Sequence, residues 1–194
     1  MAIKLTKGAN ISLAKEAPGL TDAVLGLGWG QQKTKGFLGR TKLVDVDLDA
    51  SCLMFDEQKN LKDAVWFQQL KSKDGSIKHT GDDRTGGGKE GTPNEEIVVQ
   101  LNAVPSNILS LVFTVNSFTS DSFDGIPNAF CVLKDNKTQN IIAKYDLSVQ
   151  GGGHTGLVIA KLYRHNNEWK FKALGEWGAG RTFDKLLPII TPSL

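Results

Sequence analysis

A chain of 194 residues, 40% of them apolar, is long enough to bury a substantial core. Its 23 basic and 21 acidic residues nearly balance, which argues against a general nucleic-acid binder, since such proteins carry a clear basic excess. The chain has no long apolar run, so neither a secretory leader nor direct membrane insertion is expected, and a cytoplasmic location is.

Taken in chain order, the pattern is one of alternation with period two. MAIKLTKGANISLAK alternates polar and apolar residues from the start. LVDVDLDASCLMF (43–55) reads as one strand, with Val44, Val46 and Leu48 on one face and Asp45, Asp47 and Asp49 on the other. EEIVVQL (95–101), NILSLVFTVNSF (107–118), NAFCVLKD (128–135), NIIAKYDL (140–147), TGLVIAKLYRH (155–165) and EWKFKAL (168–174) follow as strands rich in Val, Ile, Phe and Tyr. KLYRHNNEWKFKAL forms a hairpin with His165 to Asn167 near its tip. Helix signals are sparse: PSNILS holds one turn, and RTFDKLLPII starts a short C-terminal helix that Pro188 limits. Many short strands with regular turns predict an all-β chain, a β-sandwich of two antiparallel sheets, in a single domain over 1–194.

Two glycine-rich stretches, 81–91 and 151–153, interrupt the strands without marking a domain boundary. The first lies inside HTGDDRTGGGKEGTPNEE (79–96). From Thr80 to Glu96 there are five acids (Asp82, Asp83, Glu90, Glu95, Glu96) and two bases, a local charge of −3 in a chain of +2. It is not a P-loop: Gly87 stands where the lysine belongs, Lys89 is followed by Glu90, and a strand follows where a helix is required. Asp45, Asp47 and Asp49 have the first spacings of an EF-hand, but Ala50 replaces its glycine, Asp56 replaces its glutamate, and the flanks are strands. Carboxylates side by side on a strand repel one another unless a cation compensates, or unless the face is simply solvated. The Gly-Asp-Asp loop tips the reading toward a hard cation, because it offers carboxylates, hydroxyls from Thr80 and Thr85, and carbonyls freed by the glycines. Glu95 and Glu96 enter from the far end of the loop. An all-oxygen set suits Ca²⁺ better than Zn²⁺.

The remaining candidates are weaker. Cys52 and Cys131 sit in apolar runs and read as buried thiols without metal spacing. His79, His154 and His165 form no motif and read as exposed or capping residues, and the four tryptophans as core or rim aromatics. No Ser-His-Asp or Cys-His arrangement occurs, so the chain is not expected to be an enzyme. The alternative is metal-assisted binding or turnover of a small phosphate-containing ligand such as a nucleotide. Lys161, Arg164, Lys170 and Lys172 give the last hairpin a basic edge, either solvated or in contact with an acidic partner or anionic ligand.

Several segments, in order, resemble the TerD family of tellurium-resistance and stress proteins. They are LTKGANISLAK (5–15), LGLGWG (25–30), VDLDAS (46–51), SKDGSIKHTGDDRTG (72–86), YDLS (145–148) and KLYRHNNEWKFKALGEW (161–177). The ending GRTFDKLLPIITP (180–192) is similar to that of TerZ-type members. The resemblance implies a β-sandwich that binds Ca²⁺ at clustered acidic loops, working with other Ter-family proteins and a TerC-like membrane protein. It therefore also implies peripheral attachment at the inner membrane through a partner. The family's DLDAS aspartates correspond to Asp47 and Asp49, and those of its GD[DN]xTG motif to Asp82 and Asp83. The chain departs from the pattern at Gly30, where aspartate is common, and at GKEGTPNEE, where an acidic run is common and Lys89 brings a positive charge. Asn94, Glu95 and Glu96 stand in place of that run, and the sequence is compatible with one cation site or two.

Overall fold

The computed structural model describes residues 2–35, 40–89, 91–147, 152–166 and 168–194. Glu90, Asn167, Ser148 and Gly151, which the sequence reading touches, fall outside the described residues. In chain order the elements are β1 (Ile3–Lys4), β2 (Asn10–Ser12), α1 (Leu13–Glu16), β3 (Asp22–Gly28), β4 (Gln32–Lys35), β5 (Thr41–Val44), β6 (Leu48–Asp56) and β7 (Leu61–Val65). Then come β8 (Ile77–His79), β9 (Glu95–Gln100), β10 (Ile108–Ser117), β11 (Phe130–Asp135), β12 (Ile141–Asp146), β13 (Gly156–His165), β14 (Glu168–Gly178) and α2 (Leu187–Ile190).

Two six-stranded sheets form, in the orders β1-β12-β11-β3-β9-β8 and β2-β14-β13-β10-β6-β7, with β4 and β5 as a separate hairpin. All pairings are antiparallel except that of β1 with β12. One continuous core joins Leu25, Leu27, Ile97, Val99, Cys131 and Leu133 of the first sheet to Cys52, Met54, Leu111, Phe113, Leu157 and Phe171 of the second. That is the expected sandwich, with side chains of the two inner faces interleaved.

β3 escaped the periodicity reading because it is covered on both sides. Ala23, Leu25 and Leu27 face the core, while Val24 on the other face is equally buried, so DAVLGLG shows no polar alternation. The strand expected over 43–55 is in fact two. β5 ends at Val44 and β6 begins at Leu48. Between them Val46 spends its backbone groups on the site: its N–H donates to the Thr85 carbonyl at 3.3 Å, and its carbonyl accepts from the Trp29 indole at 2.8 Å. With both groups taken, no neighbouring strand pairs there.

The C-terminal segment covers the outer face of the second sheet. Leu186 and Ile190 pack on Leu53, Phe55, Val112, Val158 and Leu174 in a second apolar cluster. Pro188 does not limit the helix but stands in the first turn of α2, where its missing N–H is no loss. Among the described residues no helix is long and apolar enough to cross a membrane.

Candidate metal centre

The acidic residues meet at one end of the sandwich, where β6 begins, β9 begins and the 80–87 loop crosses between the sheets. One carboxylate oxygen from each of Asp47, Asp49 and Asp82 lies within 4.8 Å of the other two. Two Ca²⁺–oxygen bonds of about 2.3–2.6 Å span that separation, so one cation reaches all three. Asp49 is 5% exposed and Asp47 9%, while Asp82 stands at the solvent edge. Asp47 Oδ1 and Asp49 Oδ2 are buried acceptors with no hydrogen-bond donor among the described residues. Buried carboxylate oxygens are normally satisfied, so two orphans in one cluster suit a positively charged group.

The electrostatics agree. Burial, then the Glu95, Asp47 and Asp82 carboxylates, push the Asp49 pKa up to about 8, with Arg84 the opposing charge. Burial and Asp82 also raise Asp47, again against Arg84. One exposed arginine does not offset this concentration of acids. The donors are all hard oxygens, which fit Ca²⁺ and do not fit a Zn²⁺ site of nitrogen and sulfur.

The other acids singled out in the sequence have different places. Asp45 is exposed and accepts from Gln31 Nε2 at 2.6 Å, so the aspartate triplet does not stay together. Asp83 turns back into its own loop. Its Oδ1 accepts from the Thr85 N–H (3.0 Å), the Thr85 hydroxyl (2.9 Å) and the Gly86 N–H (3.2 Å), and its Oδ2 accepts from Asn94 Nδ2 (3.0 Å). Burial alone would raise its pKa, but these donors outweigh it and hold the carboxyl below the usual range. Glu96 points away from the cluster and pairs with Lys134 at 2.6 Å.

Glu95 lies behind the three aspartates and is fully buried. Its Oε2 accepts from the Ala50 N–H at 2.8 Å, and its Oε1 from the Asp83 N–H at 3.1 Å. A strand of the first sheet thus ties together β6 of the second sheet and the Gly-Asp-Asp loop. His79 Nε2 stands 3.3 Å from Glu95 Oε2, without hydrogen-bond geometry. His79 Nδ1 accepts from the Gly81 N–H at 3.1 Å, which leaves the ring proton on Nε2.

The glycines of the loop make room for Trp29. A Cβ on Gly86 would lie 2.5 Å from the indole nitrogen, and φ at Gly86 is +66°. Asn94 completes the frame: its Oδ1 accepts from the Trp29 N–H at 2.9 Å while its Nδ2 holds Asp83. The two departures noted in the sequence, Gly30 and Lys89, come together in a small separate cleft of about 90 Å³ with Trp29, Asn128 and Phe130. No carboxylate stands among the described residues that line it.

With this geometry in place, the TerD domain profile matches residues 1–187. The chain belongs to the TerD family. It is 41% identical over 187 residues to the tellurium resistance protein TerZ of Serratia marcescens, covering 95% of this chain and 94% of that one. It is 37% identical to TerD of the same organism, over 93% of both chains, and 38% identical to the stress response protein SCP2 of Bacillus subtilis, over 91% and 92%. A solved TerD homologue from Streptomyces coelicolor A3(2) shares the fold, with a TM-score of 0.67 at 19% identity over 84% of this chain and 92% of its own.

Within this TerD-family chain, sequence reasoning missed His79 and Trp29. His79 was expected at the surface, yet its side chain is fully buried against Glu95. The available signal was position: in IKHTGDD, Ile77 and His79 share a face of a short strand, so a buried Ile77 carries His79 inward with it. Trp29 left no such signal, because its contacts are with segments 17 and more residues away.

Proposed function

We propose that this chain is a non-enzymatic, calcium-binding member of the TerD family that acts in tellurite resistance and stress response. The observation that carries the proposal is the pair of unpartnered, buried oxygens, Asp47 Oδ1 and Asp49 Oδ2, grouped with Asp82. Like charges in so little solvent are tolerated when protonated or when a cation neutralises them. Asp47, Asp49 and Asp82 supply the ligand oxygens. Glu95, Asp83 and Asn94 hold the two segments that carry them. The names of the similar proteins support the tellurium and stress assignment.

Ca²⁺ at this cluster neutralises the repulsion between β6 and the 80–87 loop and so fixes the loop in place. The ordered loop then forms a surface that a partner reads, as in other switches where local charge neutralisation orders a segment. The partners are other Ter-family proteins and a TerC-like membrane protein, which brings the chain to the inner face of a membrane. A single cation per chain is the expected stoichiometry, because the described residues contain one three-acid group and the altered positions Gly30 and Lys89 line a cleft without carboxylates.

Calorimetric titration with Ca²⁺ tests this. One site per chain is expected, with Mg²⁺ much weaker and binding abolished in Asp49→Asn/Asp82→Asn. Absence of a Ca²⁺ binding heat together with absence of a Ca²⁺-dependent melting shift in the parent protein would overturn it.

A further inference from the structure

The basic edge of the last hairpin is not used by the cation site. On β13 and β14, Leu162 and Phe171 belong to the core, so Lys161, Tyr163, Lys170 and Lys172 stand on the outer face of the second sheet. Register aligns them in two rows across the sheet. One row runs Leu61, Phe55, Ser110, Tyr163, Lys170, Ser12, and the next passes through Val112, Lys161, Lys172 and Asn10. Lys161 and Lys172 are therefore directly opposite one another, an arrangement that destabilises a sheet. Lys59, at the turn between β6 and β7, adds a third charge close enough to act on Lys161. Among the described residues none of Lys59, Lys161, Lys170 and Lys172 has a carboxylate at ion-pairing distance. Two acids of β14 share this outer face: Glu168, one step nearer the hairpin end, accepts from the Ser12 hydroxyl, and Glu176, opposite Val158, pairs with Lys7. Burial, then Lys172 and Lys59, lower the Lys161 pKa, so the ammonium is held at some cost. Its Nζ lies 4.9 Å from the Tyr163 ring centroid and donates to the Ser193 carbonyl.

We propose that this lysine-rich sheet face, Lys59, Lys161, Lys170 and Lys172 around Tyr163, docks directly on an anionic lipid bilayer. Three features favour a bilayer over a compact anion or an acidic chain segment. The face is part of a sheet, and none of Lys59, Lys161, Tyr163, Lys170 and Lys172 lines a described cavity. Its cations are lysines, strongly hydrated point charges, rather than the arginine forks that grip single phosphates or carboxylates. Half-buried Tyr163 stands among the lysines as an amphipathic contact, while Leu61, 39% exposed, lies on the same row beyond Phe55, which the C-terminal segment covers. Asp49 and Asp56 lie at opposite ends of β6, roughly 23 Å apart at about 3.3 Å per residue, so the acidic cluster is displaced along the sheet from the Lys59 end of this face.

Co-sedimentation of the full chain with vesicles, in EDTA, tests the proposal. Vesicles of equal parts phosphatidylcholine and phosphatidylglycerol should carry the protein down, and phosphatidylcholine alone should not. Partitioning should fall roughly fivefold for each lysine neutralised, and should fall steeply with added salt. Lys59→Glu/Lys170→Glu/Lys172→Glu should lose binding while keeping the parent melting temperature. Lys170→Arg/Lys172→Arg and Asp49→Asn should retain it. Failure of the parent to bind phosphatidylglycerol vesicles, or undiminished binding by a folded triple glutamate variant, would overturn the proposal. So would displacement by stoichiometric pyrophosphate, which marks a small-anion site, or binding of soluble polyglutamate without vesicle binding, which marks an acidic protein partner.

Discussion

Asp49 concentrates the chemistry of the site in one side chain. It is almost enclosed, one of its oxygens has no donor, and its nearest charged neighbours are acids. In the unfolded chain its pKa lies near the ordinary 3.8, and in the metal-free fold it lies at about 8. Between those values the folded state binds more protons than the unfolded one, so stability falls as pH rises across that window. Asp49→Asn removes this group's part of the slope. In EDTA the variant should therefore match the parent near pH 4 and exceed it in melting temperature near pH 9. Thermal melts at both pH values check this, and equal slopes for the two proteins would contradict it. In the parent, the proposed Ca²⁺ would compete with the same proton, so its affinity should rise as pH increases toward 8. Asp83 shows how neighbours decide the matter: the same residue type, one position from Asp82, is held ionised by donors from Thr85, Gly86 and Asn94 and serves the loop's shape.

At the level of elements, the site exists because β9, β6 and the 80–87 loop converge, and Glu95 is the pin between them. Its carboxylate takes N–H donors from Ala50 on one side and Asp83 on the other. Glu95→Gln retains the shape but turns an NH₂ group toward one of those N–H donors. The expected loss is about 1–3 kcal/mol in urea denaturation. The same change removes one of the charges that raise Asp49, so the Asp49 pKa should drop, which an NMR titration reads directly. A loss of stability with no movement of Asp49 would mean that Glu95 acts through packing alone. The strand break at 45–47 belongs to this scale too. Alternation across 43–55 pointed to one strand, yet Trp29 and Thr85 capture the Val46 backbone, and the chain leaves one hairpin and enters the second sheet there.

For the whole molecule, the proposed cation binding would be coupled to folding. A ligand that binds only the folded state adds RT ln(1 + [L]/Kd) to stability, about 2.7 kcal/mol at a hundredfold excess. In a chain of this size each kcal/mol moves the midpoint by about 2–4 °C, so saturating Ca²⁺ should raise the melting temperature by roughly 5–11 °C. Mg²⁺ should raise it far less, because it resists giving up its water for a partly buried cluster of carboxylates. Scanning calorimetry with either ion, against EDTA, checks this. Equal shifts with both ions would point to general charge screening of the acidic end. The cysteines take no part in such a switch. Both are buried in the core, and burial raises their pKa well above the ordinary thiol range, so neither is an accessible thiolate.

Much of this protein can be read from the sequence because it depends on local periodicity and composition. Alternation of Val, Ile and Phe with polar residues marks the strands that face a core on one side, and these outline the two antiparallel sheets. Acid density next to glycine marks the 79–96 loop as a cation candidate, and the ordered motifs mark the family. Tertiary structure decided which acids meet. The pairing of β9 with β3 and β8 turns Glu95 inward and Glu96 outward, although they are adjacent in sequence. Asp82 joins Asp47 and Asp49 while Asp83 does not, because hydrogen bonds from Asn94 and Thr85 hold Asp83 in its own loop. Buried His79, the indole under Gly86 and the meeting of Gly30 with Lys89 likewise rest on contacts between distant segments. Periodicity shows only which face a residue is on, and contact depends on what the fold places opposite it.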